Sequence, residues 1–190
     1  GQLFADIAES HPYYSALQFL KDKSFIQGYD DGTFQPKRKV SRVEALKLIL
    51  MASEKAISDT YGAPAFPDID YKAWYGSYVI TAFGENIAQG YNDQTFRPNQ
   101  KVNRAEFLKM LLSALKIYIP VNVSEKPYRD APVTAWFTPY ATYAKEKNLL
   151  PSSKNLFNGS EEIDRGEVAE IIYRTLRARS SNSAFVADSR

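Results

Sequence analysis

The chain has 190 residues, 44% of them hydrophobic, and a formal net charge of +2. This is enough for one sizeable domain, or for a few small repeats that bury a core together. The near-neutral balance argues against a dedicated nucleic-acid binder, and no apolar run approaches the roughly 20 residues of a membrane span.

There is no cysteine, and His11 is the sole histidine. Disulfides and thiol chemistry are therefore absent, and most zinc sites are excluded. The opening GQLFADIAES has neither a basic start nor an apolar stretch, so no signal peptide is expected within it. The chain is read as either cytoplasmic or a mature or excised fragment. Thirteen tyrosines and eleven phenylalanines suit a protein that packs rings and also presents hydroxyl-bearing faces.

The chain repeats itself. Residues 25–50 align without a gap to 87–112, with 14 of 26 positions identical, at an offset of 62. Phe4-Ala5-Asp6-Ile7 pairs with Phe66-Pro67-Asp68-Ile69, and Tyr128-Arg129-Asp130 lies a further 62 on. IDRGEVAEII at 163–172 matches VNRAEFLKML at an offset of 61. Three repeats are expected at about 3–53, 66–116 and 128–178, with a polar, mobile tail over 179–190. The connectors EKAISDTYGAPA and IYIPVNVSEKP carry the proline and polar residues of loops.

Each repeat reads helix, turn, helix. In the first copy Tyr14, Leu17 and Leu20 form one apolar edge. Gly28 and Gly90 follow the first helices and suit the left-handed residue near a helix end. Asp31-Gly32 marks a tight turn, and Pro36 and Pro98 are expected to keep the chain extended before the second helix. The second helix has a sharp start: Ser41 with Glu44, Asn103 with Glu106, and Asp164 with Glu167 have the spacing of a capping box. One such helix pair cannot bury its apolar face alone. The expected fold is all-α, a pseudo-threefold bundle of three helix-loop-helix repeats.

Arg42, Arg104 and Arg165 stand at the first helical position, where the helix dipole mildly disfavours a cation, by about 0.3–1 kcal/mol. Two readings follow. The arginines pair internally, with Asp6, Asp68, Asp130 or a cap glutamate. Alternatively, fork and free helix-start amides together make three related pockets for an acidic group. Lys47 and Lys109, five residues on, read as a solvated helix face. Trp74 and Trp136 precede the first helices of copies two and three, where copy one has Pro12. They are read either as core or staple residues, or as flat faces for sugar rings. Tyr29 and Tyr91 either pack the turn or meet a ligand.

The ordered set Phe-x-Asp, WY or YY, GYxDGTFxP and V/I-x-R-x-E, in tandem triplicate over about 3–178, resembles the S-layer homology domain family. VSRVE, VNRAE and IDRGE correspond to its TRAE-like element. The resemblance implies a non-catalytic extracellular anchor on the bacterial surface. It would hold a larger surface protein to the wall through a peptidoglycan-linked anionic polysaccharide that carries a pyruvate ketal, bound in grooves between repeats.

By the same resemblance, Arg42, Arg104 and Arg165 meet the carboxylate and Trp74 and Trp136 line the sugar. Gly28 and Gly90 let backbone approach, Tyr29 and Tyr91 border the groove, and no cofactor or metal is called for. Arg104→Ala is expected to weaken glycan binding and leave the fold intact. Copy three departs, with Ser152 and Ser153 near the expected Gly-Tyr, and reads as a structural closing repeat. Gly166 and Val43 replace the alanine of the element in copies three and one.

Two rival functions remain. One is a protein-docking or scaffold module with degenerate grooves. It would be marked by arginines buried in ion pairs rather than solvated beside an aromatic ring. The other is a glycoside hydrolase, which needs two opposed carboxylates. Turn and cap roles account for Asp30, Asp31, Glu44, Asp68, Asp93 and Glu106 instead.

Overall fold

The structure is a computed structural model that describes residues 2–58, 61–151 and 154–188, with side chains through 181. Ser152 and Ser153 lie outside the described residues. Among the described residues there are six α-helices: α1 (Tyr14–Asp22), α2 (Arg42–Ala52), α3 (Gly76–Gly84), α4 (Arg104–Ala114), α5 (Thr138–Glu146) and α6 (Arg165–Asp188). Among the described residues there is no strand, only three isolated bridges, so the fold is all-α as expected. No helix among the described residues is long and apolar enough to cross a membrane.

The repeat period is written into the helix starts. α1, α3 and α5 begin at 14, 76 and 138, and α2, α4 and α6 at 42, 104 and 165. The chain leaves α1, α3 and α5 through Ser24, Asn86 and Asn148, with φ of 61°, 57° and 52°. These residues, not Gly28 and Gly90, hold the left-handed position. Among the described glycines only Gly32 has positive φ, at 81°. α6 continues to Asp188, past the boundary expected at 178.

The contacts divide the chain into two compact units. One comprises Gly1–Arg38, Val121–Phe157 and Asp164–Arg190, and carries α1, α5 and α6. In it α1 packs on α6. Leu17 and Leu20 of the predicted edge are fully buried with Val168, Ile171 and Ile172. Phe4 meets Phe34 at 5.2 Å, and Phe137 stacks on Phe157 at 5.5 Å.

The other unit comprises Lys39–Pro120 and Asn158–Ile163, with α2 packed on α3 and α4. Its core holds Leu46, Ile49, Leu50, Val79, Phe96, Phe107, Leu108 and Leu111. At its centre three backbone segments close a triangle. Val102 N–H donates to Val40 O (2.9 Å), Ile163 N–H to Val102 O (3.1 Å), and Val40 N–H to Ile163 O (3.2 Å). All three side chains are fully buried, so no amide is left unpaired where water cannot reach. Each lies two residues before the arginine that starts a helix.

Candidate functional site

The turn that precedes each second helix is built by carboxylates. Asp31 Oδ1 accepts from the Thr33 amide (2.9 Å) and hydroxyl (2.7 Å). Asp93 does the same with Thr95, at 3.0 and 2.6 Å. The Thr95 hydroxyl, then its amide, then Arg97 hold the Asp93 carboxyl down at about 2.

From the start of each repeat a second aspartate reaches in. Asp6 accepts from the Phe34 and Gln35 amides, both at 2.8 Å. Asp68 accepts from Phe96 (2.9 Å) and Arg97 (2.7 Å), and Asp130 from Phe157 (2.7 Å). This corrects the expectation of an extended chain before the prolines. Gln35 and Arg97 have φ of 57° and 60°, and Asn158 holds the matching place at 52°. A left-handed residue costs about 1 kcal/mol or more, and charge-assisted bonds to the aspartate offset it.

These turns receive the arginines. Arg42 Nε donates to Phe96 O (3.0 Å), Nη2 to Gln89 O (3.0 Å) and Nη1 to Glu106 Oε2 (3.1 Å). Its guanidinium lies 4.9 Å from the Tyr91 ring centre and 4.8 Å from that of Phe96. Arg165 repeats the arrangement, with Nε to Phe34 O (2.9 Å), Nη2 to Gln27 O (3.2 Å), and the Tyr29 and Phe34 rings at 4.9 and 4.4 Å. Arg104 Nη1 donates to Asn158 O at 2.6 Å, with Glu161 Oε2 at 3.5 Å. Each helix-start arginine thus plugs the turn of the following repeat, and that of the third plugs the first.

The helix-start amides are taken as well. Arg42 and Val43 donate to Gln100 O (2.9 Å) and Pro98 O (3.2 Å). Arg104 and Ala105 donate to Glu161 O and Gly159 O, and Arg165 and Gly166 to Arg38 O and Pro36 O. The next amide goes to the cap: Glu44 to Ser41 Oγ, Glu106 to Asn103 Oδ1, Glu167 to Asp164 Oδ1. A pocket built on free amides is therefore not what this geometry provides. The reason is tertiary, since the turn brings carbonyls to the helix end that the sequence leaves open. Internal pairing holds for Arg42, whose side chain is 6% exposed. The Ser41–Glu44 capping box forms reciprocally, whereas the Glu106 carboxylate accepts from Arg42 and from the Tyr91 hydroxyl (3.2 Å).

Tyr91 is half-buried between Arg42 and Arg97, the latter 3.9 Å from its ring centre. Burial, opposed by Arg42 and reinforced by Glu106, pushes its hydroxyl pKa up. Tyr29 sits likewise between Arg165 and Arg38. Gly28 and Gly90 serve packing: a Cβ on Gly28 would stand 2.9 Å from the Phe4 ring, and one on Gly90 2.3 Å from that of Phe66.

The tryptophans are different. Trp74 is 55% exposed and Trp136 54%, which excludes a core role. Each indole meets its neighbours edge-on, Trp74 with Tyr75 and Tyr78, Trp136 with Phe137 and Tyr140. Lys47 Nζ stands 5.8 Å over the Trp74 ring.

Sequence reasoning missed the buried triangle of Val40, Val102 and Ile163. Its signal was present, a β-branched residue two places before each of Arg42, Arg104 and Arg165. The pairing of Arg42 with Glu106 fits the expected cap-glutamate partner, with the glutamate coming from the next helix start 64 residues on.

The S-layer homology domain profile matches residues 3–46 and 65–108. The chain is 29% identical over 136 residues to the cellulosome-anchoring protein of Acetivibrio thermocellus, covering 70% of this chain and 30% of that protein. It is 29% identical over 166 residues to the surface-layer 125 kDa protein of Lysinibacillus sphaericus, covering 85% of this chain and 14% of that protein. With S-layer protein sap of Bacillus anthracis it shares 22% identity over 187 residues, 98% of this chain and 23% of that protein. The chain thus spans less than a third of the length of these relatives.

Proposed function

We propose that this chain, which carries S-layer homology domains at 3–46 and 65–108, is a non-catalytic module that anchors a longer protein to the bacterial cell wall. Residues 128–178 form its third repeat. The ligand is an anionic, pyruvylated wall polysaccharide, and the module works at the cell surface. The relatives' names, cellulosome-anchoring and S-layer proteins, support the anchoring. The observation that carries the glycan reading is the pair of indoles, Trp74 in the second repeat and Trp136 in the third, 62 residues apart and each more than half exposed.

An indole face left in water is unusual unless something covers it, and a pyranose C–H face suits it. Arg42 acts as a brace of the turn and not as a carboxylate clamp, because its donors are spent on Phe96 O, Gln89 O and Glu106. Arginine burial by itself favours the scaffold reading, in which the same faces dock a protein. The exposed indoles support the glycan reading over it.

Calorimetric titration with purified wall polysaccharide, native and with its ketal pyruvate removed, tests the proposal. Binding that falls on removal of pyruvate supports an anchor that reads a carboxylate. Absence of binding to either form puts the docking reading ahead.

A further inference from the structure

We infer that Lys47 is the group that reads the acid of the bound sugar at the Trp74 face, and that this helix position sets which repeat faces accept an acidic ligand. The inference rests on the glycan reading above and names a cation for it. Arg42 has internal acceptors for its fork. Lys47, one and a half turns further along α2, makes no ion pair or hydrogen bond among the described residues.

The Lys47 ammonium stands 5.8 Å from the Trp74 ring centre, near the outer limit of about 6 Å for a cation–π contact. The contact is loose and the stem is flexible, so the ammonium can turn from the ring to an anion seated beside it. An exposed indole and an unpaired cation side by side fit a pyranose that carries a carboxylate.

The face made by α1 and α6 provides the internal contrast. Where the second repeat has Trp74, the first has Pro12. Where α2 has Lys47, α6 has Glu170, buried and paired with Arg174 at 2.8 Å. Burial first, then the nearby Glu167, Asp164 and Glu170, opposed by Arg174, push the Tyr13 hydroxyl pKa up. The indole and the uncommitted cation are thus both missing there, and the cation present, Arg174, is paired with Glu170. That face cannot bind an anionic sugar as the Trp74 face does.

The test uses the full chain with Trp136→Phe, so that Trp74 alone reports by fluorescence. The probes are a hexoside carrying a 4,6-pyruvate ketal and the same hexoside without it. The expected result is tighter binding of the ketal form and a roughly three- to fivefold loss of that affinity in Lys47→Ala, the range of an exposed ion pair. The ketal-free sugar should be unaffected, and Lys47→Arg should restore the difference. Equal binding of both sugars, or no effect of Lys47→Ala where the ketal form still binds, overturns the inference and leaves glycan binding standing. If neither hexoside nor the whole polysaccharide perturbs Trp74, the glycan reading fails and the inference with it.

Discussion

Arg42 and Glu106, 64 residues apart in the chain, form an ion pair at 3.1 Å in which the arginine side chain is 6% exposed and the glutamate 22%. The arginine starts α2 and the glutamate lies in the first turn of α4. The pair therefore joins the helix start of one repeat to that of the next, with the Tyr91 ring packed against the guanidinium.

Removing either partner should destabilise the fold. Arg42→Ala leaves two carbonyls and Glu106 without their donor, at a cost of about 2–4 kcal/mol. Glu106→Gln should cost less, because the amide oxygen still accepts. Urea unfolding measures both, and the double variant should cost less than the sum of the two single ones. An unchanged midpoint in Arg42→Ala would show that the turn does not depend on its plug.

Arg104→Ala separates two expectations. The sequence suggests a variant that folds normally and binds glycan weakly. The geometry, with Arg104 Nη1 on Asn158 O at 2.6 Å, predicts a loss of about 1–3 kcal/mol of stability. Thermal unfolding distinguishes them, and an unaltered melting temperature would return Arg104 to the ligand surface.

Gly90→Ala should be destabilising by about 1–3 kcal/mol, since overpacking must move the Phe66 ring or the turn carbonyl of Thr95, 2.9 Å from the new carbon. Gly62→Ala, whose Cβ meets nothing within 4 Å, is the control and should fall within about 0.5 kcal/mol of wild type. Parallel denaturant curves compare them.

The Asp93 carboxyl should titrate at about 2, against an ordinary 3.8. A carboxyl depressed in the folded state adds stability above its unfolded value, and that stability fades as pH falls from about 4 toward 2. Side-chain carboxyl NMR should show the low inflection, and Thr95→Val should move it up. An inflection near the ordinary value in wild type would mean that the Thr95 hydroxyl does not hold the carboxylate.

Trp74→Ala should leave stability within about 0.5 kcal/mol of wild type, because the side chain is more than half in solvent. Acrylamide should quench both indoles of the wild-type protein, and bound polysaccharide should shield them. A variant that unfolds early would assign Trp74 to the fold.

Much of the architecture was legible because its causes are local. A cap residue followed by glutamate three places on starts a helix wherever it stands, and Ser41, Asn103 and Asp164 all do so. Apolar residues three apart face one way, and Leu17 and Leu20 are buried accordingly. The glycines were misplaced for the same reason. A helix end asks for a left-handed residue, but only the packing of Phe4 and Phe66 shows that Gly28 and Gly90 are needed for space.

The sequence alone determined the period of about 62, the all-α class and the registers of the helices, because periodicity and capping act within a few residues of chain. The tertiary structure alone decided what the arginines do. A guanidinium at a helix start is equally suited to a carbonyl, a carboxylate of the same chain or an anion from outside, and the choice depends on which oxygen lies within 3 Å. For Arg42 the next repeat's turn supplies those oxygens, whereas Trp74 stands more than half in solvent and half-buried Lys47 lies over its ring. Hydrogen-bond reach is short and these partners lie 47 and 54 residues away, so only folding brings them together.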